Sequence, residues 1–194
     1  RHRRYPMPDP MTPTRHWSTA LATLNACVDA VRWAETQPDY ATAWAQCERG
    51  DWMLWLAGKF AGEPWSEARK PLVRAACACA RLALPRYEAR YPDDTRVRVC
   101  IETTERWTRG KATVEDVRQA RASDAAAADA VYDAAAANAA YAAAYAAYAA
   151  AHAAAVYDAA AANAAYAAAK RAALEQCADL VRVEYPTPPE ISHA

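Results

Sequence analysis

Few residues in this sequence are spaced as a chemical site requires. Cys77-Ala-Cys79 has the form of half a metal or redox pair, but a zinc site takes a second close pair or nearby histidines. The four histidines stand at 2, 16, 152 and 193. The pair is therefore read as core filling, and the six cysteines, Cys27, Cys47, Cys77, Cys79, Cys100 and Cys177, as reduced, buried thiols of a cytoplasmic protein. No Ser-His-Asp arrangement, metal-ligand set or glycine-rich phosphate loop stands in the chain, so no catalytic residue, metal or cofactor is expected. Arg49-Gly50-Asp51 spells an adhesion tripeptide, yet it falls at a helix junction, where Gly50 suits a left-handed residue closing one helix and Asp51 the N-cap of the next. Asp51, Trp52, Trp55, Arg74 and Arg81 form a candidate ligand-binding group, although tryptophans at such spacing are more often core.

These residues must be positioned by helices, because no stretch alternates as a strand does. Leu21, Leu24, Val28 and Val31 recur at helical spacing and predict a first helix from Ser18 that ends before Pro38. A short helix follows from Asp39 through Trp44 to Cys47. The run Trp52–Phe60 is apolar on nearly every side and belongs in the middle of a bundle. Gly62 and Pro64 end it, and Pro71 opens a helix that runs to Leu84 and is stopped by Pro85. Asp94 or Thr95 caps the next helix, which Gly110 closes. Thr113-Val-Glu-Asp116 has capping-box spacing with Asp in place of Glu. All seven tryptophans lie before residue 110.

From Ser123 to about Val183 the chain is nearly all alanine, the strongest helix former. The fifteen residues Ala130–Ala144 recur unchanged as Ala155–Ala169, an interval of 25 residues, about 6.9 helical turns. At 100° per residue, Asn138, Tyr141, Tyr145, Tyr148, His152, Asn163, Tyr166, Lys170, Leu174, Cys177 and Val181 share an arc of about 80°. The duplication preserves this stripe, so the segment is read as one long helix or as several in-register pieces. Its Tyr, Asn and His face either packs on the Trp-rich helices or binds a partner, since tyrosine serves both purposes. Asp133, Asn138, His152, Asp158 and Asn163 make the tract unsuitable for a bilayer.

Charge excludes a general electrostatic role: Lys and Arg number 23, as do Asp and Glu, which gives no overall attraction for nucleic acid. The expected organisation is an all-α helical bundle. It has a basic tail over 1–17, a Trp-rich bundle over 18–123, an Ala-rich helical segment over 124–184 packed on it as one domain, and a C-terminal tail over 185–194.

The run Cys47-Glu-Arg-Gly-Asp-Trp-Met-Leu-Trp-Leu-Ala57 is followed by Ala75-Ala-Cys-Ala-Cys-Ala-Arg-Leu-Ala83, Ile101-Glu-Thr-Thr-Glu-Arg-Trp-Thr-Arg-Gly110 and Ala178-Asp-Leu-Val-Arg182. Together these resemble immunity proteins similar to the fifth immunity family of bacterial polymorphic toxin systems, with phage-like relatives. The resemblance covers roughly residues 18 to 184, from which the duplicated alanine block departs. It implies a helical, cytoplasmic, non-enzymatic protein that binds and neutralises a toxin. Two other readings stand beside it: self-association through the tyrosine stripe, and a small-molecule sponge built around Asp51, Trp52, Trp55, Arg74 and Arg81.

Overall fold

Asn25 divides what the apolar spacing predicts as a single N-terminal helix. In the computed structural model, which describes residues 16–122 and 159–191, α1 spans Thr19–Thr23 and α2 spans Val28–Glu35. Asn25 has φ 63°, and the amides of Asn25 and Ala26 donate to the carbonyls of Ala22 and Leu21, each at 3.0 Å. That is a Schellman closure, with asparagine at the left-handed position usually held by glycine. Leu21 and Val28 therefore belong to different helices.

The chain divides into two compact units, Arg1–Ala43 with Ile191–Ala194, and Trp44–Glu190. In the first, the Trp17 ring lies 5.2 Å from that of Tyr40, and His16 Nε2 stands 3.3 Å from the Gln37 carbonyl oxygen. α3 (Tyr40–Gln46) opens on Asp39, whose carboxylate accepts from the Thr42 amide at 2.7 Å and its hydroxyl at 2.9 Å. These bonds hold the Asp39 carboxyl below its ordinary range.

The second unit contains α4 (Gly50–Phe60), a short 3-10 turn at Glu67–Arg69, α5 (Lys70–Arg90), α6 (Arg96–Thr108), α7 (Val114–Ala122) and α8 (Ala159–Glu184). All regular structure among the described residues is helical, as the sequence predicts. α8 packs on α4 and α5, α5 also on α6, and α6 on α7. Residues two apart on a helix point about 200° apart, and this explains Cys77-Ala-Cys79. Cys77 packs with Leu84 and Ile101 toward α6, whereas Cys79 packs with Cys177 and Leu180 of α8. One dipeptide step thus serves both neighbours of the central helix, and the small residues around it permit close packing.

Gly50 is not the left-handed terminator that its position after α3 suggests. It is the first residue of α4, and Arg49 takes the N-cap position. A Cβ built on Gly50 would sit 2.5 Å from Cys177 Cβ and 2.6 Å from the Ala178 amide nitrogen. Glycine is needed because α8 passes too near for any side chain. Asp51 correspondingly lies inside the first turn rather than at the cap.

Pro85 does not stop α5, which continues through it to Arg90. A proline costs the helix one hydrogen bond, from its own missing amide to the carbonyl four residues back. Tertiary ties hold the turn beyond it: Tyr87 donates to Asp94 at 2.7 Å and Arg98 forks onto Glu88 at 2.6 Å. Other punctuation follows the sequence. Gly62 and Gly110 take φ 78° and 70°. Asp94 accepts from the Arg96 amide at 3.1 Å. The capping box is reciprocal, with Thr113 N donating to Asp116 at 2.7 Å and Asp116 N to Thr113 Oγ1 at 3.1 Å. Cys27 departs from the expected burial, since it is exposed while the other five cysteines are buried.

Candidate interaction surfaces

The run at the start of α4 is positioned by α8. Arg182 donates to the carbonyls of Trp44 and Cys47, and Trp44 Nε1 donates to the Tyr185 carbonyl at 2.9 Å. With the chain fixed on this side, Met53, Leu56 and Ala57 enter the core. Asp51, Trp52, Trp55 and Lys59 lie around the opposite arc of the helix. Arg49 forks onto Asp51 at 2.8 and 2.6 Å and its guanidinium stands 4.1 Å from the Trp52 ring centre. Lys59 Nζ is 4.9 Å from the Trp55 ring centre. Each half-buried indole therefore already carries a cation from its own segment. The adhesion tripeptide is an internal ion pair.

Arg74 and Arg81 are used between helices. Arg74 forks onto Glu184 of α8 at 2.6 to 3.0 Å, and Arg81 onto Glu105 of α6 at 2.6 and 2.8 Å. The charged members of the sequence-derived group thus enter three ion pairs: Asp51 with Arg49, Arg74 with Glu184, and Arg81 with Glu105. Hydrogen bonding from Arg81 lowers the Glu105 carboxyl, against the opposing effect of burial. A carboxyl lowered on folding contributes stability above its unfolded value, near 4.5, and loses it as pH falls through the folded value. Glu105→Gln is therefore expected to lower the melting temperature at pH 7 and to reduce the further loss on acidification below pH 4.5. Thermal melts of both proteins between pH 7 and pH 3 check this; parallel pH profiles would contradict it.

Asn138, Tyr141, Tyr145, Tyr148 and His152 lie outside the described residues. Asn163 and Tyr166 fall on α8, but their side chains are also outside the description. Farther along the same arc, Leu174, Cys177 and Val181 are buried, so this end of the stripe is core.

One cluster went unrecognised in the sequence. Trp65 adopts φ 66°, an uncommon conformation for a bulky residue, and meets Trp107 edge-on with ring centres 5.3 Å apart. Arg118 lies 5.8 Å from the Trp65 ring centre and Lys70 Nζ 5.5 Å from that of Trp107. Next in the chain, the buried Ser66 Oγ has no hydrogen-bond partner among the described residues. Sequence offered only the Gly62-Glu-Pro-Trp65 turn as a signal, and turn residues do not disclose an aromatic clamp.

Cys77 and Cys79 are poor nucleophiles. Burial pushes Cys77 up to about 12, and hydrogen bonding to Cys177 together with burial raises Cys79. A protonated buried thiol is a packing group. Among the described residues no cluster of three or more His, Cys, Asp or Glu is placed to hold a metal, and no helix is long and apolar enough to cross a membrane.

Residues 64–183, more than half of the chain, match the family model described as Imm-5 like putative immunity protein. The chain belongs to this family. The Imm-5 like match takes in α5, α6, α7 and nearly all of α8, together with Trp65 and Trp107. It also contains three of the four stretches that carry the sequence resemblance, whereas Gly50-Asp-Trp-Met-Leu-Trp55 precedes it. The Imm-5 like region contains both the Cys77-Ala-Cys79 step and the Trp65–Trp107 pair. No curated protein and no solved structure matches the chain.

Proposed function

We propose that the chain is a non-enzymatic immunity protein that acts in the cytoplasm by binding a toxin and masking its working surface. The observation that carries this reading is the Imm-5 like match over residues 64–183, which spans the helices forming most of the second unit. The way the polar groups are used supports it. Asp51, Glu105, Glu184, Asp94 and Asp116 each have a cation or a cap to serve, and a group so engaged is poorly placed to shuttle protons. Inhibition by occlusion needs only a stable, complementary surface. The test is co-expression with each toxin-like domain found in the coding neighbourhood of the gene. Restored growth, with a complex that survives gel filtration, is expected; continued killing with no complex would overturn the proposal.

A further inference from the structure

We infer that the outer surface of α6 and α7, with Trp65 as its fixed aromatic anchor, receives an acidic segment of the partner protein. This rests on the immunity reading above and names the surface and chemistry it would use.

Overall neutrality conceals a strong segregation of charge. Residues 69–122 hold 13 Lys and Arg against 7 Asp and Glu, a net +6, although the whole chain has 23 of each. Residues 69–93, mostly α5, account for +4 of it, and residues 94–122, from α6 to α7, hold 7 Lys and Arg against 5 Asp and Glu, a net +2. Arg96, Arg98, Arg106, Arg109, Lys111 and Arg118 are all exposed on α6, α7 and the turn joining them. Of the acids there, Asp94 pairs with Arg96, Glu102 with Arg98, Glu105 is held by Arg81 and stands 3.7 Å from Arg109, and Asp116 closes the capping box; Arg106, Arg109 and Lys111 gather at the turn between α6 and α7. α7 packs on α6 with Val117 buried, and Glu115, Asp116, Arg118 and Gln119 are exposed.

Beside this basic surface stands an aromatic group that is already fixed. A left-handed backbone is unfavourable for a bulky residue, and such strain persists only where surrounding structure over-determines it. Trp107 edge-on and Arg118 across the ring supply that constraint. A held tryptophan next to arginines is the composition from which interface hot spots are built. The cations are spread along α6, whose 13 residues extend about 20 Å; this suits an extended acidic surface better than a small anion. Carboxylates are interleaved with them, as in Arg98 with Glu88 and Arg118 with Glu115. That interruption disfavours a nucleic-acid phosphate track and suits a protein of mixed surface.

The test uses the full chain and a toxin-like domain from the coding neighbourhood of its gene, with binding followed by interferometry. Arg106→Glu/Arg109→Glu/Lys111→Glu is expected to weaken the complex at least 100-fold, largely through slower association. Wild-type affinity should fall at least tenfold between 50 and 500 mM NaCl. Should the triple variant melt early, Arg109→Gln/Lys111→Gln is the substitute, with about tenfold weakening expected. Arg32→Glu on α2 should leave affinity unchanged. Wild-type affinity in the basic-face variants would overturn this inference while leaving the immunity reading intact. If the wild type neither binds nor rescues, the immunity reading falls, and poly-L-glutamate decides the surface: binding lost in the triple variant supports it, equal binding overturns it. Tighter binding to a 30-base-pair DNA duplex than to the toxin domain or to poly-L-glutamate would also overturn it.

Discussion

Gly50→Ala is expected to destabilise the protein by about 3 kcal/mol, at the upper end for overpacking a tight contact. The added methyl would fall 2.5 Å from Cys177 Cβ, 2.6 Å from the Ala178 nitrogen and 2.7 Å from the Cys177 carbonyl carbon. Two of those atoms are backbone, so rotamer adjustment cannot relieve the clash and α4 must move off α8. Displacement would also disturb the Arg182 bonds to Trp44 and Cys47. In a protein of this size the loss corresponds to roughly 6–12 °C in melting temperature. Gly58, eight residues on in the same helix, provides the contrast. Its built Cβ meets only Leu72 Cδ2, at 3.7 Å, which is ordinary contact. Gly58→Ala should therefore gain about 0.5–1 kcal/mol from helix propensity. Urea unfolding of both variants checks the pair, and equal effects would contradict the proposed α4–α8 contact.

Trp107→Ala should cost about 3–5 kcal/mol, the range for removing a large aromatic from a core. Trp107 is 6% exposed and supports three groups at once: the edge of Trp65, the Lys70 ammonium and the interior of α6. Its removal should free the Trp65 turn from its left-handed conformation, since the packing that opposes backbone strain would be gone. Hydrogen exchange is expected to accelerate in residues 61–69 and in α7 before it does so in α4. Trp107→Phe should recover a large part of the stability by restoring apolar volume. A Trp107→Ala loss below 1 kcal/mol, with unchanged exchange at 61–69, would show that the clamp does not hold the loop.

These cases also mark what sequence could disclose. Local rules were legible because each acts within a few residues. Thr113 and Asp116 form their capping box, Pro71 sits in the first turn of α5, and Gly62 and Gly110 turn the chain left-handed. Cys77 and Cys79 were rightly read as core. Asn25 was legible in principle, but its αL closure lies inside an apolar spacing that continues across the break. Gly50 and Pro85 were misread because their roles are set at a distance. Gly50 answers to Cys177, 127 residues later, and the helix beyond Pro85 is held by partners at Asp94 and Arg98. Tertiary packing overrides local propensity at such positions.

The candidate sites divide in the same way. Residue type identified Trp52, Trp55, Arg74 and Arg81 as unusual, but a list of arginines does not say which carboxylate each will meet. The structure assigns Arg74 to Glu184 and Arg81 to Glu105, turning suspected ligand contacts into ties between helices. The Trp65–Trp107 clamp needed a backbone angle that no residue pattern announces. Charge segregation, by contrast, was present in the sequence throughout. It was hidden because the basic α5–α7 segment is balanced by acid elsewhere in a chain of zero net charge.

Toxin neutralisation by binding, as proposed for this Imm-5 like protein, is tested most directly by a measurement that joins growth to affinity. A toxin-like domain from the coding neighbourhood of the gene is induced in a host with and without the full chain, and the purified pair is titrated. Rescue of growth with a stoichiometric, salt-sensitive complex is the expected result. Undiminished killing, with no heat of binding between the purified proteins, would contradict it.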